Sequence, residues 1–113
     1  MHELGIAQSI VEIAAKNARE QGAERVLVVT VEVGAFAGVL PEALEFCFEA
    51  CCQDTLLEGS CLRIERVPAR GRCQACHQEF PVDSYFTRCP ACSAAATELL
   101  SGEELRIRDM EVD

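Results

Sequence analysis

From Glu3 to Gln21, Ile6, Ile10, Ile13 and Ala14 recur at three- and four-residue spacing, and Ala7 and Val11 widen the stripe. That periodicity predicts one amphipathic helix, with Gly22 placed to stop it. RVLVVTVEV, residues 25–33, packs β-branched side chains into a run too short for a helix. It predicts a strand buried on at least one face. GAFAGVL, residues 34–40, reads as a loop of small residues. Pro41 suits the first position of a second helix, running to about Asp54, and Glu42 and Glu45 favour its positive end. Leu44, Cys47, Phe48 and Cys51 fall along one of its faces. CLRIERV predicts a second strand ending at Pro68. A third follows at Leu105 to Val112, where Asp109 interrupts the alternation as a bulge or edge position would.

The order is helix, strand, helix, strand, cysteine-rich segment, strand. It predicts an α+β fold in which two helices cover one face of a three-stranded mixed β-sheet. The cysteine-rich segment, residues 70–99, is expected to form an inserted zinc-ribbon-like domain with four cysteine ligands. Residues 1–69 and 100–113 are expected to form the other domain.

Composition narrows the function. The chain has 113 residues, half of them hydrophobic, enough for one core plus a small satellite. No apolar run is long enough to span a membrane. Glu3, Glu12 and Lys16 interrupt what a signal peptide would need. A cytoplasmic protein is expected. Asp and Glu outnumber Lys and Arg 19 to 10, for a formal charge of -9, which opposes binding to nucleic acid and to acidic membranes.

Eight cysteines in so short a chain read as reduced and metal-binding rather than as a secreted disulfide scaffold. Cys73 and Cys76 form CQAC, Cys89 and Cys92 form CPAC, and twelve residues separate the pairs. Two residues between thiols allow a tight turn that points both sulfurs at one ion, and two such turns supply a tetrahedral set. Four thiolates fill the shell of Zn²⁺, so such a site is structural rather than hydrolytic. The same spacing also accepts iron, as in a rubredoxin-like electron carrier; visible colour separates the two. A zinc-ribbon interaction or nucleic-acid module is a further class. Against nucleic acid, Arg70, Arg72 and Arg88 only balance Glu79, Asp83 and Glu98. Phe80, Val82, Tyr85 and Phe86 are the main apolar content of this segment, so metal is expected to supply much of its folding free energy. His77 reads as a surface residue, with a donor to a thiolate or an alternative ligand as the other readings. Cys47, Cys51, Cys52 and Cys61 read as small hydrophobes, although Cys47 and Cys51 stand one helical turn apart.

The chain opens MHE. Histidine at position 2 is too large for ready removal of Met1, so the Met1 amine is expected to persist. That amine with the amide and imidazole of His2 can close fused chelate rings on one ion, an arrangement suited to Ni(II) or Cu(II). Glu3 could complete the set through its amide or its carboxylate. Taken alone, the same three residues read first as an ordinary helix start, with Glu3 in a favourable first-turn place.

MHELGIAQSIVE, VEVGAFAGV, LEFCFEA and the CQAC/CPAC pair, in this order and over essentially the whole chain, resemble the HypA/HybF family of hydrogenase-maturation nickel metallochaperones. The resemblance implies a non-enzymatic carrier that holds Ni(2+) as cargo at Met1, His2 and Glu3. It implies structural Zn(2+) at Cys73, Cys76, Cys89 and Cys92. The implied partners are the GTPase HypB and the [NiFe]-hydrogenase large subunit, with urease maturation proteins for some members, in a monomer or homodimer. Two features depart from the pattern. GAFAGVL lacks the carboxylate that some members place before the second helix, and Ser93 rather than histidine follows the second cysteine pair.

Overall fold

The computed structural model describes residues 2–95 and 97–113. Within them lie two helices, α1 (Glu3–Glu20) and α2 (Pro41–Cys51). The strands are β1 (Val26–Gly34), β2 (Cys61–Val67), β3 (Arg70–Cys73), β4 (Glu79–Pro81), β5 (Thr97–Ser101) and β6 (Leu105–Val112). They divide into two three-stranded sheets, ordered β2-β1-β6 and β4-β3-β5. The first is mixed and accompanies the two helices, which is the expected α+β architecture. The Gly34 amide bonds the Glu104 carbonyl, and Arg25 and Asp113 bond one another, so β6 runs against β1. β2, reached from β1 through α2, is the parallel neighbour, as a helical crossover requires.

By internal packing the chain forms two compact units. One comprises the residues through Glu32, with Gly38–Glu65 and Arg106–Asp113; the other comprises Val33–Ala37 and Arg66–Leu105.

In the first unit α1 packs on α2. The buried stripe of α1 is Ala7, Ile10, Val11, Ala14, Ala15 and Ala18, so the helix approaches its neighbours mostly through alanines. Ile13, expected on that stripe, is 51% exposed because the stripe centres one position away. Gly22, at φ +75, ends α1 as expected: the Ala23 amide returns to the Ala18 carbonyl at 2.9 Å. Val26, Val29 and Val31 of β1, with Leu44, Phe48, Cys52 and Leu57, complete the buried apolar set of this unit.

Pro41 occupies the first turn of α2, as expected. The helix ends at Cys51 rather than near Asp54, because Asp54 takes a left-handed φ of 61°. The Thr55 hydroxyl donates to the Cys52 carbonyl at 2.8 Å and accepts the Leu57 amide at 3.0 Å, closing the turn. Ion pairs Arg106–Glu32, Arg108–Glu65 and Arg63–Glu111 cross between strands. Exposed pairs of this kind contribute little stability but favour one register over its neighbours. Along β6 the less exposed positions Ile107, Met110 and Val112 change phase across Asp109.

In the second unit β3 pairs antiparallel with β4, Gly71 opposite Phe80, and with β5, Gly71 opposite Leu99. A Cβ at Gly71 would lie 2.5 Å from Thr97 Cγ2 and 2.8 Å from Val82 Cγ2, so only glycine fits between these side chains.

Candidate metal centre

The four paired cysteines converge. Their sulfurs all lie within 4.8 Å of one another, with Cys73 and Cys92 at 3.5 Å and Cys76 and Cys89 at 3.6 Å. Thiolates held about 2.3 Å from a shared Zn²⁺ would stand roughly 3.8 Å apart, while a disulfide needs about 2.05 Å. All eight cysteines are free thiols. The spacing therefore suits a tetrahedral ion and not a covalent pair.

The two turns repeat one backbone solution. In the first, the Cys73 sulfur accepts the amides of Ala75 and Cys76 at 3.3 and 3.4 Å, and the His77 amide returns to the Cys73 carbonyl at 2.9 Å. In the second, the Cys89 sulfur accepts the Ala91 amide at 3.4 Å, and the Ser93 amide returns to the Cys89 carbonyl at 2.8 Å. His77 and Ser93 occupy the same place in each turn, and both take left-handed backbones, at φ 66 and 65°. This conformation explains position 77 without its imidazole, which lies outside the group of four sulfurs. Because glycine adopts positive φ without strain, His77→Gly should stabilise the segment by about 1 kcal/mol, and His77→Val should destabilise it by at least as much. Thermal melts of the metal-loaded protein check both.

Cys73 and Cys89 are buried together with Phe80, and Val82 and Ala94 pack against them. Cys76 and Cys92 are exposed. Two ligand candidates thus double as core. Tyr85 and Phe86, part of the segment's main apolar content, stay outside this core at 64% and 90% exposed. A turn causes this: the Thr87 hydroxyl donates to Asp83 at 2.7 Å and accepts the Ser84 amide at 3.2 Å, which throws Phe86 outward. Tyr85 stacks on Phe36 at 4.6 Å and donates its hydroxyl to Glu103 at 2.9 Å.

The thiols do not share one acidity. Hydrogen bonds from the amides of Cys76 and Ala75, opposed by desolvation, bring Cys73 down to about 6, so it is a thiolate at neutral pH. The Ala94 amide lowers Cys92, but its bond to Cys73, desolvation and the other two sulfurs outweigh this and push it to about 12. Cys76 is also raised, desolvation and its sulfur neighbours outweighing the Gln78 amide. An ion that takes all four as thiolates must displace the protons of Cys76 and Cys92, so affinity falls as pH drops. Zinc loading near neutral pH should release about two protons or more. Calorimetry in buffers of differing ionisation enthalpy counts them.

Burial, then Cys51 and Glu49, raise Cys52 to about 11, and burial, then Cys47, raises Cys51. Both stay protonated at neutral pH, in keeping with their reading as small hydrophobes.

Of the N-terminal residues, Met1 lies outside the described residues. His2 is exposed, precedes α1 as its cap residue, and gives its carbonyl to the Ile6 amide at 3.1 Å. Glu3 is the first residue of α1, and its Oε2 accepts the Leu40 amide at 3.0 Å. That bond, then one from its own amide, hold the Glu3 carboxyl below the usual range against desolvation. Leu40 had no signal in the chain's pattern. Nothing about an apolar loop residue 37 positions away announces a main-chain donor to Glu3.

The sequence matches, over residues 1–112, the profile of the family described as hydrogenase/urease nickel incorporation, metallochaperone, hypA. A hydrogenase maturation factor HypA of Geobacter metallireducens is 58% identical over 113 residues, covering all of both chains. One of the same name from Geobacter sulfurreducens is 50% identical over the same full length. In fold the chain is similar to the solution structure of the Ni metallochaperone HypA from Helicobacter pylori, with a TM-score of 0.70. That likeness covers 99% of this chain and 97% of the other at 20% identity. With two helices on a mixed sheet, a convergent four-cysteine group and a profile match running nearly end to end, the chain belongs to the HypA family of hydrogenase and urease nickel-incorporation metallochaperones.

Proposed function

We propose that this protein is a nickel carrier of hydrogenase maturation. It binds Ni(II) through the Met1 amine, His2 and Glu3 and passes the ion by ligand exchange to the [NiFe]-hydrogenase large subunit, together with the GTPase HypB. It works in the cytoplasm and catalyses no reaction. Urease maturation is a second destination within the same family description. Cys73, Cys76, Cys89 and Cys92 hold Zn²⁺ as a structural ion, in a module spanning residues 70–99. The observation that carries the reading is the family match over residues 1–112, which takes in the exposed His2. The closed geometry of the thiolate group supports it, because four sulfurs leave no open position for a cargo ion to enter and leave.

Two of the three arginines weighed for a nucleic-acid role are engaged within the segment. Arg72 pairs with Glu79 at 3.3 Å and Glu98 at 3.8 Å, and Arg88 donates to the Ser93 carbonyl.

Placing one residue ahead of Met1 moves the amine out of the chelate ring while leaving every other residue in place. Nickel affinity should fall by about two orders of magnitude or more, since a fused tridentate chelate is lost, with zinc content unchanged. Unchanged high-affinity nickel binding in the extended protein would sink the N-terminal site.

A further inference from the structure

We infer that Glu3 serves nickel by position: its carboxylate latches the start of α1 to the main chain just before α2, which aligns His2 and the Glu3 amide nitrogen for the ion. This rests on the carrier reading above and divides the labour within the proposed site.

The latch is a single hydrogen bond, from the Leu40 amide to Glu3 Oε2, at 3.0 Å and across 37 positions of chain. Leu40 is the cap residue of α2, and neither helix has a side-chain cap from its own cap residue. The carboxylate therefore satisfies a donor at the positive end of α2, where an anion is favoured. A carboxylate drawn away to a metal would leave that donor without its partner.

The Glu3 amide is placed differently. It stands at the first position of α1, one of the leading amides that have no intrahelical acceptor, and its hydrogen goes to the Glu3 carboxylate instead. The nitrogen is thus not locked into the helical ladder, and deprotonation on metal binding disrupts no turn of helix. On one side the His2 carbonyl is held by the Ile6 amide at 3.1 Å; on the other the latch holds the Glu3 side chain. Fixing both flanks reduces the freedom lost when His2 and Glu3 close chelate rings on an ion.

The test uses the full-length protein with Ni(II) alone as probe. Glu3→Gln keeps a carbonyl oxygen for the Leu40 amide but has no carboxylate. Glu3→Leu removes both. Leu40→Pro removes the donor without touching the proposed ligands; the φ of -86° at Leu40 is near what proline imposes, and the Leu40 carbonyl still accepts the Leu44 amide. Zinc content and helical circular dichroism report that each variant is folded. Glu3→Gln should keep the nickel d–d absorption of the parent and lose less affinity than Glu3→Leu, while Glu3→Leu and Leu40→Pro should each lose about tenfold, the band shape preserved. If Glu3→Gln shifts the band or falls as far as Glu3→Leu, the carboxylate is a ligand and the inference is overturned. Parent-like affinity in Leu40→Pro overturns it equally. Nickel binding that ignores a residue added ahead of Met1 removes the carrier reading and this inference together, so the two failures remain distinct.

Discussion

Cys73→Ala should strip the thiolate-bound ion and melt the surrounding segment in one event. Cys73 is fully buried beside Phe80 and Cys89, and its sulfur takes the two amide bonds that shape its turn. The substitution removes a ligand, a core side chain and two acceptor contacts at once. Structural zinc in small modules contributes on the order of 10 kcal/mol to folding, and the buried cluster of Cys73, Phe80 and Cys89 is too small to replace it. Metal analysis should find the zinc gone. Hydrogen exchange should lose protection across residues 70–99, while the amides of α1, α2 and β1 keep theirs. Cys61→Ala, an exposed cysteine outside the group, should change neither quantity and serves as the control. Persistent protection in the zinc-free variant would mean that packing alone folds the segment.

The second large effect is expected at a glycine. A Cβ on Gly34 would fall well inside the carbonyl group of Gly102. The main chain there cannot easily give way. The Gly34 amide bonds the Glu104 carbonyl at 2.7 Å, Ala35 bonds the Val67 carbonyl at 3.0 Å, and Phe36 bonds Gly102 itself at 2.6 Å. Gly102 in turn has φ +122, and a Cβ there would meet Ala69 at 2.8 Å. Backbone presses on backbone, so no rotamer change relieves the clash. Gly34→Ala should cost about 3 kcal/mol or more and lower the melting temperature by roughly 10 °C or more. Gly5→Ala offers the contrast: nothing lies within 4 Å of the added methyl, and helix propensity favours the change by up to about 1 kcal/mol. A melt of Gly34→Ala that matches the parent would show that this crossing is loose.

Elements governed by periodicity or by turn chemistry are legible in the sequence. α1, β1, β2 and β6 fall within a residue or two of expectation: the first three carry apolar or β-branched residues at one period, and β6 keeps strand character on both sides of the phase change at Asp109. The four-cysteine group is legible for a stronger reason: two residues between thiols constrain the turn whatever surrounds it. The short strands β3, β4 and β5 are not legible. RGRC, EFP and TELLS are too short to display alternation, and the glycine in the first reads as a loop signal rather than as a close approach of three strands. Phe86 misleads in the opposite direction. An apolar residue in a small domain reads as core, but the Asp83–Thr87 clasp makes it the tip of a turn. The left-handed place held by His77 and Ser93 sits just after each cysteine pair, where a glycine would have announced it. The Glu3–Leu40 bond lies beyond any local pattern, since only tertiary folding brings the two residues within reach.

The burial of Cys73 and Cys89 has a consequence for metal traffic within one polypeptide. Thiolates bind nickel as well as zinc, so affinity alone would let cargo stray into the sulfur cage. An ion held partly by core side chains can leave only when that core opens, and its residence time is then set by local unfolding. An ion beside the exposed His2 faces no such gate. Under the reading proposed here the molecule separates its two metals by the clock, one exchanging in step with partners and the other seldom within the lifetime of the fold.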